Sequence, residues 1–406
     1  MSGKMLMFIL DGVGDRSVEA LDGKTPLEAA DTPNLDSFAK EGENGIMDTI
    51  APGIRPGSDT GHLSLLGYDP YEVYSGRGPF EAAGIGMDLE PQDVAFRCNF
   101  ATLEDGKVVD RRAGRIKEDT EELSEAVRDI DLDVDFEFEK AVEHRCVLVL
   151  KGEGLGGDVT DVDPHQADVE PHRASPLEDS EENDRTAKIL NEFVDKTIDV
   201  LSDHPVNQRR REEGKLQANV ILPRGGGKVP EMEDIKSKHG LNAGAISGIP
   251  LVRGVCSLAG MDIQVVDEAT GGLDTDPTSI MEATIESFED HDFMMVNIKG
   301  CDLSGHDGLP EQKIEFIEKI DSSIGRLKEI DDVYIAITGD HSTPVTIKEH
   351  SGDPLPLTIW GNDVRVDDVE EFNEKACSQG GINRVRGKDI LNILKDLANR
   401  TEKFGA

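Results

Sequence analysis

The stretch MLMFILDGVGD, residues 5–15, is an apolar run that ends abruptly in aspartate and glycine. This pattern is typical of a buried parallel strand at the point where it leaves the sheet. Two later stretches repeat the pattern: MMVNIKGCDLSGHDG, residues 294–308, and VYIAITGDHSTP, residues 333–344. Ligands bind at the carboxyl edge of an open α/β sheet. The sequence therefore predicts an α/β fold with a functional site where these strands end.

Carboxylate and imidazole side chains follow the three predicted strands. They are Asp11, Asp302, His306, Asp340 and His341, and His350 lies on a polar loop shortly afterwards. Each of them alone could be a turn residue, a helix cap or a solvated side chain. Together, in a chain with 10 histidines, they form a ligand set that suits Mn²⁺, Zn²⁺ or Mg²⁺. Two adjacent ions can clamp both oxygens of a phosphoryl transfer, so the pattern indicates chemistry on a phosphoryl or sulfuryl group.

Ser58 adds a candidate nucleophile to this set. It follows Pro56 and Gly57 and begins a predicted helix, and the amino end of a helix favours an anion. A hydroxyl bound to a metal there would lose its proton more easily and could attack a phosphoryl group. The alternative is that Ser58 only caps the helix, and Asp59 could itself be the cap.

The composition limits the class of protein. The chain has 406 residues, 37% of them hydrophobic, and a formal net charge of -40. Its charges are spread among apolar segments, which argues against an acidic disordered protein. A partner such as nucleic acid or an anionic membrane would need the opposite charge. We interpret the composition as that of a globular protein with a carboxylate-rich surface, as occurs in halophiles, where salt screens the repulsion.

The cysteines and the amino-terminal segment predict a cytoplasmic location. The five cysteines have no paired spacing, which indicates free thiols and not a disulfide framework or a zinc knuckle. Cys301 adjoins Asp302, but we expect a small buried apolar side chain there and not a ligand. The first apolar run is too short for a signal peptide, and no stretch approaches the length of a membrane span.

The order of predicted elements indicates two domains, one of them split in sequence. Strands and helices alternate at both ends of the chain, whereas the middle predicts a β-β-α-β-β module over residues 96–103, 107–116, 118–130, 134–140 and 144–152,. A polar segment rich in glycine and proline follows. The prediction is a catalytic domain of residues 1–90 and 176–406, with a smaller α+β domain of residues 91–175 inserted into it.

Two helices can be placed from local signals. Thr32 is a candidate helix cap, Pro33 suits the first helical position and Gly42 suits the end, which predicts a helix between them,. The stretch IEFIEKIDSSIGRLKEI, residues 314–330, has apolar residues at helical spacing,.

Several motifs together resemble a known family. DGVGD, RPGSDTGHLSLLGYDP, YSGRGPFEAAG, GCDLSGHDG and TGDHSTP are similar to those of the archaeal type of cofactor-independent phosphoglycerate mutase, in the alkaline phosphatase superfamily. The resemblance extends from the first residues to about residue 353. It implies an alkaline-phosphatase-like fold, with a mostly parallel sheet sandwiched by helices and an inserted α+β domain. It also implies one metal ion held by Asp302, His306 and His350, and another held by Asp11, Ser58, Asp340 and His341.

The same resemblance implies a reaction. The enzyme would interconvert 3-phosphoglycerate and 2-phosphoglycerate through a phosphoserine at Ser58, with two divalent ions and without 2,3-bisphosphoglycerate. Mn²⁺ is the expected metal, and Mg²⁺, Zn²⁺ or Co²⁺ are alternatives. Hydrolysis of the phosphoserine must be prevented, so the inserted domain is expected to act as a lid that excludes water. The expected partner is this small substrate, with no nucleic acid and no membrane.

A substrate with a phosphate and a carboxylate needs cationic or imidazole side chains to bind it. The candidates are Arg77, Arg115, Arg224, Lys299, His62 and His165. Each could instead form a surface ion pair with the many carboxylates.

Two other functions stay open at this point. Another phosphotransferase of the superfamily, such as a phosphopentomutase or a phosphatase, would use the same metal site. An acidic metal-binding or scaffold protein would not need Ser58 at all.

Overall fold

A computed structural model describes residues 3–405 and divides the chain into two compact units. The second unit is Tyr74–Glu231, and the first consists of the described residues on either side of it. The strands are β1 Lys4–Leu10, β2 Glu43–Asp48, β3 Val94–Glu104, β4 Lys107–Asp110, β5 Phe136–Lys140, β6 Arg145–Leu150, β7 Val220–Lys228, β8 Ala243–Ser247, β9 Asp262–Ile263, β10 Phe293–Ile298, β11 Val333–Thr338, β12 Leu355–Trp360 and β13 Asn383–Arg386.

The helices surround and connect these strands. They are α1 Pro26–Ala29, α2 Pro33–Lys40, α3 Ser58–Leu65, α4 Pro70–Val73, α5 Gly78–Gly84, α6 Thr120–Arg128, α7 Glu181–Ser202, α8 Pro205–Glu212, α9 Ile235–His239, α10 Pro250–Leu258, α11 Pro277–Ser287, α12 Gly300–Asp307, α13 Pro310–Ile324, α14 Glu374–Cys377 and α15 Gly387–Leu397. Short 3-10 helices cover Glu19–Leu21 and Gly325–Glu329.

The first unit is built on a large, mostly parallel sheet. Within the described residues its strand order is β13-β2-β12-β11-β1-β10-β8-β9. β12 runs antiparallel to both of its neighbours, and the other pairs are parallel. Residues 5–10 of β1 are fully buried, as expected for a strand covered on both faces. This confirms the predicted α/β class and the parallel sheet.

The second unit has its own antiparallel sheet. Its strand order is β4-β3-β6-β5, and β7 pairs with the other edge of β3. The phenylalanines Phe96, Phe100, Phe138 and Phe193 are buried in its core. The order β3, β4, α6, β5 and β6 is the β-β-α-β-β arrangement that the sequence predicts. β4 ends at Asp110, earlier than the predicted strand, because residues 111–115 form a turn.

The bounds of the inserted unit are wider than the predicted residues 91–175. β7 pairs with β3 from Val94 to Ala101, and α7 buries Phe193 and Leu190 in the same core. Residues 176–231 therefore belong to the inserted unit. On the amino-terminal side, α5 joins it because Ala82 packs against apolar side chains of β3 and β6.

The structure contains both helices that the local signals predict, but the capping of one and the bounds of the other differ from the prediction. α2 begins at Pro33 as predicted, but Thr32 before it makes no capping hydrogen bond through its side chain. The helix predicted at residues 314–330 begins earlier, at Pro310, and gives way to a 3-10 helix at Gly325. The cysteines are all free and buried, as predicted. In residues 3–405, the helices are all too short or too polar to cross a membrane.

A largely buried acid, Glu374, supports the loop after β1. It accepts hydrogen bonds from the Asp15 backbone N–H at 3.1 Å and from the Thr25 hydroxyl at 2.8 Å. Burial raises the pKa of Glu374 from 4.5 to about 7. Because the folded state favours the protonated acid, the unfolded state loses its proton first as the pH rises, and folding becomes less stable between these two values.

We expect Glu374→Gln to remove this pH dependence. Relative to the variant, the wild-type protein should lose up to about 3 kcal/mol of stability between pH 4.5 and pH 8. Thermal unfolding of both proteins at the two pH values measures the change, with the exposed Glu370→Gln as the control. A difference between wild type and variant that is the same at both pH values would contradict the prediction.

Candidate metal centre

The predicted ligands lie together because of how β1 is paired. β1 pairs in parallel with β10 on one side and with β11 on the other. The carboxyl ends of these three strands are therefore adjacent, and the loops after them start at the same edge. Asp11 follows β1, Asp302 lies in α12 after β10, and Asp340 follows β11. The structure thus brings together segments almost 330 residues apart, as shown by the Gly12 N–H that donates to Asp340 Oδ1 at 3.1 Å.

One group of possible ligands contains Asp11, Asp340 and His341. One ligand atom from each lies within 4.8 Å of the others, and all three are buried. His341 Nε2 is 3.3 Å from Asp340 Oδ2 and 3.7 Å from Asp11 Oδ1. The Ser58 hydroxyl is 3.4 Å from the same nitrogen. The structure thus brings together the four residues that the resemblance implies for one of the two ions.

A second group of possible ligands lies around Asp302. The group that satisfies the same 4.8 Å spacing is Asp302, His341 and His350. His350 Nε2 is 3.4 Å and His306 Nε2 is 3.3 Å from Asp302 Oδ1. The rings of His341 and His350 stack with centroids 3.6 Å apart. His341 therefore lies between the two groups, whereas the resemblance assigns it to one of them.

The charges at this edge fit divalent cations. Among the described residues, Asp340 Oδ2 is buried and accepts no hydrogen bond. Burial, with the neighbouring carboxylates of Asp11 and Asp302, raises the pKa of Asp340 well above its usual range. Burial also lowers the pKa of His341 well below its usual range, which favours the neutral imidazole. Crowded carboxylates and neutral imidazoles are the donors that divalent metals bind.

Lys299 provides a cation within this cluster. Its ammonium lies 2.6 Å from Asp302 Oδ2 and 3.3 Å from Asp11 Oδ1. Burial alone would lower the pKa of Lys299, but these two carboxylates outweigh it and raise the pKa. Burial would likewise raise the pKa of Asp302. Lys299 and hydrogen bonds from His306 and His350 instead lower it well below its usual range. Lys299 is thus held between the carboxylates of Asp11 and Asp302 and remains charged.

Ser58 begins α3, and its side chain lies beside the possible ligand His341. The cap of this helix is Gly57, so Ser58 is already the first helical residue. Its hydroxyl lies next to His341 and is buried, with 7% of the residue exposed. The possibility that Ser58 only caps the helix is therefore wrong. Its position at the amino end of α3 leaves the hydroxyl beside backbone N–H groups that favour an anion.

His62 lies about one helical turn after Ser58 on α3 and is fully buried. Its Nδ1 is 2.6 Å from the Ser58 carbonyl oxygen, and its Nε2 is 3.2 Å from the Asn297 amide nitrogen. The same amide donates to Asp11 Oδ2 at 2.9 Å. Burial lowers the pKa of His62. These contacts place His62 where it supports α3 from within the protein, although the sequence makes it a candidate for substrate binding.

Asn297 is not among the site residues predicted from the sequence. It lies on β10, and the Ser247 hydroxyl donates to its side-chain oxygen at 3.1 Å. This bond fixes the amide so that its nitrogen faces Asp11. A lone polar residue in the apolar run MMVNI was the signal that could have identified it.

The second unit contains a separate cluster of arginines around one buried acid. Arg77 Nε donates to Glu81 Oε1 at 2.9 Å, and Arg97 Nε lies 3.6 Å from the same oxygen. Burial, and then the neighbouring Arg77, lower the pKa of Arg97. In the sheet, Arg97 of β3 pairs with Arg224 of β7. Arg145 of β6 is also largely buried and interacts electrostatically with Glu81.

The cluster has more positive than negative groups, so it is suited to an anion. The sequence analysis identified Arg77 and Arg224 but not Arg97 and Arg145. A cationic residue within the apolar stretch FRCNF was the available signal for Arg97, because a buried charge needs a partner.

The other two candidates of this unit are more exposed. His165 Nε2 is 2.8 Å from Asp161 Oδ2, and half of its side chain is accessible to solvent. Arg115 is exposed in the turn after β4, with a φ of 57°. Near His165, Asp163 is buried and accepts two hydrogen bonds of 2.7 Å from Arg111. Asp163 also lies 3.7 Å from Arg224 Nε.

Comparisons with known proteins identify a family to which the chain is similar. A family model described as 2,3-bisphosphoglycerate-independent phosphoglycerate mutase matches residues 39–207. The chain is 49% identical over 409 residues to the curated protein of that name numbered 1 from Methanothermobacter thermautotrophicus, covering 99% of this chain and 100% of the relative. It is 50% identical over 411 residues to the protein of that name from Methanobrevibacter smithii, with coverage of 99% and 100%.

Solved structures are similar over almost the whole chain. A Pyrococcus horikoshii protein, PH0037, is 40% identical with a TM-score of 0.89, and the match covers 100% of both chains. The cofactor-independent phosphoglycerate mutase from Thermoplasma acidophilum is 38% identical with a TM-score of 0.73, covering 98% of this chain and 100% of that one. The chain described here therefore belongs to the family of 2,3-bisphosphoglycerate-independent phosphoglycerate mutases.

Proposed function

We propose that this protein interconverts 3-phosphoglycerate and 2-phosphoglycerate through a phosphoserine at Ser58, in the cytoplasm. The observation that carries the proposal is the position of the Ser58 hydroxyl, 3.4 Å from His341 Nε2. That imidazole lies between two groups of carboxylate and imidazole donors. A nucleophile next to two possible cation sites is the arrangement that an in-line phosphoryl transfer requires.

The reaction proceeds in two transfers that mirror each other. Ser58 Oγ forms a bond to phosphorus while the bond between phosphorus and the substrate oxygen breaks, which leaves glycerate with a free hydroxyl. The other hydroxyl of glycerate then attacks the phosphoserine, and Ser58 regains its hydroxyl. Two divalent ions, Mn²⁺ in our proposal, would promote loss of the Ser58 proton and neutralise the transferred oxygens.

The residues of the chain have distinct roles in this scheme. Asp11, Ser58, Asp340 and His341 would hold one ion, and Asp302, His306 and His350 would hold the other. His62 holds the backbone of Ser58 through its 2.6 Å contact with the carbonyl oxygen. Lys299 keeps a positive charge beside Asp11 and Asp302 and would stabilise negative charge that develops on the phosphoryl group.

The arginines of the second unit would bind the anionic groups of the substrate. Arg77 and Arg224 are our first candidates, and Arg97 and Arg145 extend the set. Arg97 supports this role because its buried Nε has no hydrogen-bond acceptor among the described residues. A guanidinium can bind a carboxylate or phosphate through two parallel hydrogen bonds. Arg115 and His165 remain weaker candidates because they are exposed.

An enolase-coupled assay after metal removal tests the proposed function. We expect the activity of the chelated protein to fall at least about 100-fold, since the metals would supply much of the electrostatic stabilisation of the transition state. Mn²⁺ should restore the rate best among Mn²⁺, Mg²⁺, Zn²⁺ and Co²⁺, with no 2,3-bisphosphoglycerate added. Inactivity with all four metals would contradict the proposal. Release of inorganic phosphate without isomerisation would also contradict it and would favour a phosphatase.

A further inference from the structure

Lys313, on α13, is a lysine whose side chain is entirely buried. Full burial of an ammonium is rare, because its removal from water costs free energy unless it is paired and its hydrogen bonds are satisfied. The reaction described above gives this residue no task. Its partners indicate why the fold contains a charge at this position.

The ammonium of Lys313 has an acceptor for each of its three donors. These are the Gly14 carbonyl oxygen at 3.1 Å, Asp15 Oδ2 at 2.8 Å and the Thr343 carbonyl oxygen at 3.1 Å. Gly14 and Asp15 belong to the loop after β1, and Thr343 belongs to the loop after β11. Lys313 therefore connects the two loops that carry Asp11, Asp340 and His341.

Direct contacts between the two loops surround the same ammonium. The Thr343 N–H donates to the Gly14 carbonyl oxygen at 3.0 Å. The Val345 N–H lies 3.2 Å from both carboxylate oxygens of Asp15. Asp15 is thus bound by one loop through a backbone amide and by α13 through the lysine. Loss of the ammonium would leave the Asp15 carboxylate buried with an unbalanced charge.

Thr343 transmits this connection to the candidate ligands. Its hydroxyl donates to Asp302 Oδ1 at 2.9 Å and lies 3.0 Å from His341 Nδ1. The carbonyl group of Thr343 is bound by Lys313, while its hydroxyl contacts one ligand from each group. Groups that contact ligands in this way orient them before the metal binds.

We propose that Lys313 is a positioning residue for the metal centre. The inference rests on the proposed function, since it assumes that Asp11, Asp302, Asp340 and His341 bind metal. Lys313 holds the loops after β1 and β11 at a fixed spacing, and through Thr343 it also fixes Asp302 and His341. The three acceptors of Lys313 belong to none of the proposed metal ligands, so its expected effect is on the affinity and geometry of the metal site.

The test compares Lys313→Met with Lys319→Met, an exposed lysine on the same helix. Co²⁺ binding is measured by calorimetry and by visible absorption, at a temperature where circular dichroism shows each variant folded. We expect Lys313→Met to raise the Co²⁺ dissociation constant by about 10–100-fold and to alter the absorption band. Lys319→Met should match wild type. A folded Lys313→Met with wild-type affinity and spectrum would overturn the inference.

Asp15→Asn provides a second test that keeps the size of the side chain, removes its negative charge and replaces one of the two acceptors of these hydrogen bonds with a donor,. We expect it to weaken Co²⁺ binding in the same direction, and it decides the question if Lys313→Met does not fold. Wild-type Co²⁺ affinity in Asp15→Asn would then overturn the inference. A wild-type protein that binds no Co²⁺ would overturn the proposed function itself, and this inference with it.

Discussion

Replacing Ser58 with alanine should reduce the mutase rate at least about 1000-fold, because in the proposed reaction its hydroxyl carries the phosphoryl group between the two glycerate oxygens. The hydroxyl lies at the amino end of α3 and 3.4 Å from His341 Nε2. Its removal deletes the nucleophile but leaves the carboxylates and imidazoles around it. We therefore expect the variant to keep its thermal midpoint. It should also keep most of its affinity for the ion proposed at Asp302, His306 and His350. The enolase-coupled assay measures the rate.

Ser64→Ala is the matched control for this prediction. Ser64 lies on the same helix, is fully buried and donates a hydrogen bond to the Thr49 carbonyl oxygen. Its replacement should lower stability by about 1 kcal/mol and leave the turnover number close to wild type. If Ser58→Ala retained more than about a tenth of the wild-type rate, Ser58 could not be the residue that accepts the phosphoryl group.

Replacing His341 with alanine should have an effect of similar size by a different route. Its ring lies between the two groups of donors, with Nε2 toward Asp11 and Asp340 and Nδ1 within 4.0 Å of Asp302. It also stacks on His350. We expect weaker binding of both ions and a fall in kcat/KM of about 1000-fold or more. Added Mn²⁺ should restore little of the rate, because the ligand itself is missing.

His291→Ala is the comparison for His341→Ala. His291 is also largely buried in the first unit, and its Nε2 pairs with Asp262 at 3.2 Å, outside both donor groups. The His291→Ala variant should lose stability but keep its metal content, which is measured by elemental analysis of dialysed protein. Equal metal content in wild type and His341→Ala would show that His341 is not a ligand.

The position of the site could be predicted from the sequence because it depends on local signals. An apolar run that stops at aspartate marks a strand end, and parallel strands place such ends at one edge. The signals for Asp11, Asp302 and Asp340 are of this kind. Ser58 required one more local rule, the anion preference at the amino end of a helix. The α/β class followed from the same alternation of strands and helices.

The contacts of the supporting residues could not be predicted, because burial depends on the whole fold. His62 was a candidate only for substrate binding, the lone polar Asn297 in MMVNI does not reveal its partners, and Lys313 looks like an ordinary surface residue in its local stretch. Only the pairing of β1 with β10 and β11 places them behind the ligands. The bounds of the inserted unit failed for the same reason, since β7 pairs with β3 across more than a hundred residues of sequence. Such pairings leave no local pattern.

The position of His341 between two donor groups was also beyond sequence analysis. Adjacent residues such as Asp340 and His341 are expected to serve the same ion, and the resemblance assigns them so. The structure shows that one imidazole approaches both groups, because its two ring nitrogens face opposite directions.

The central claim is that the phosphoryl group passes through Ser58, and a rapid acid quench tests it most directly. Wild-type protein with Mn²⁺ is mixed with 3-phosphoglycerate, quenched during turnover and analysed by mass spectrometry, with Ser58→Ala treated in parallel. We expect one added phosphoryl group on the peptide that contains Ser58, and none in the variant. Active turnover with no phosphorylated peptide, or with the phosphoryl group on another residue, would contradict this account.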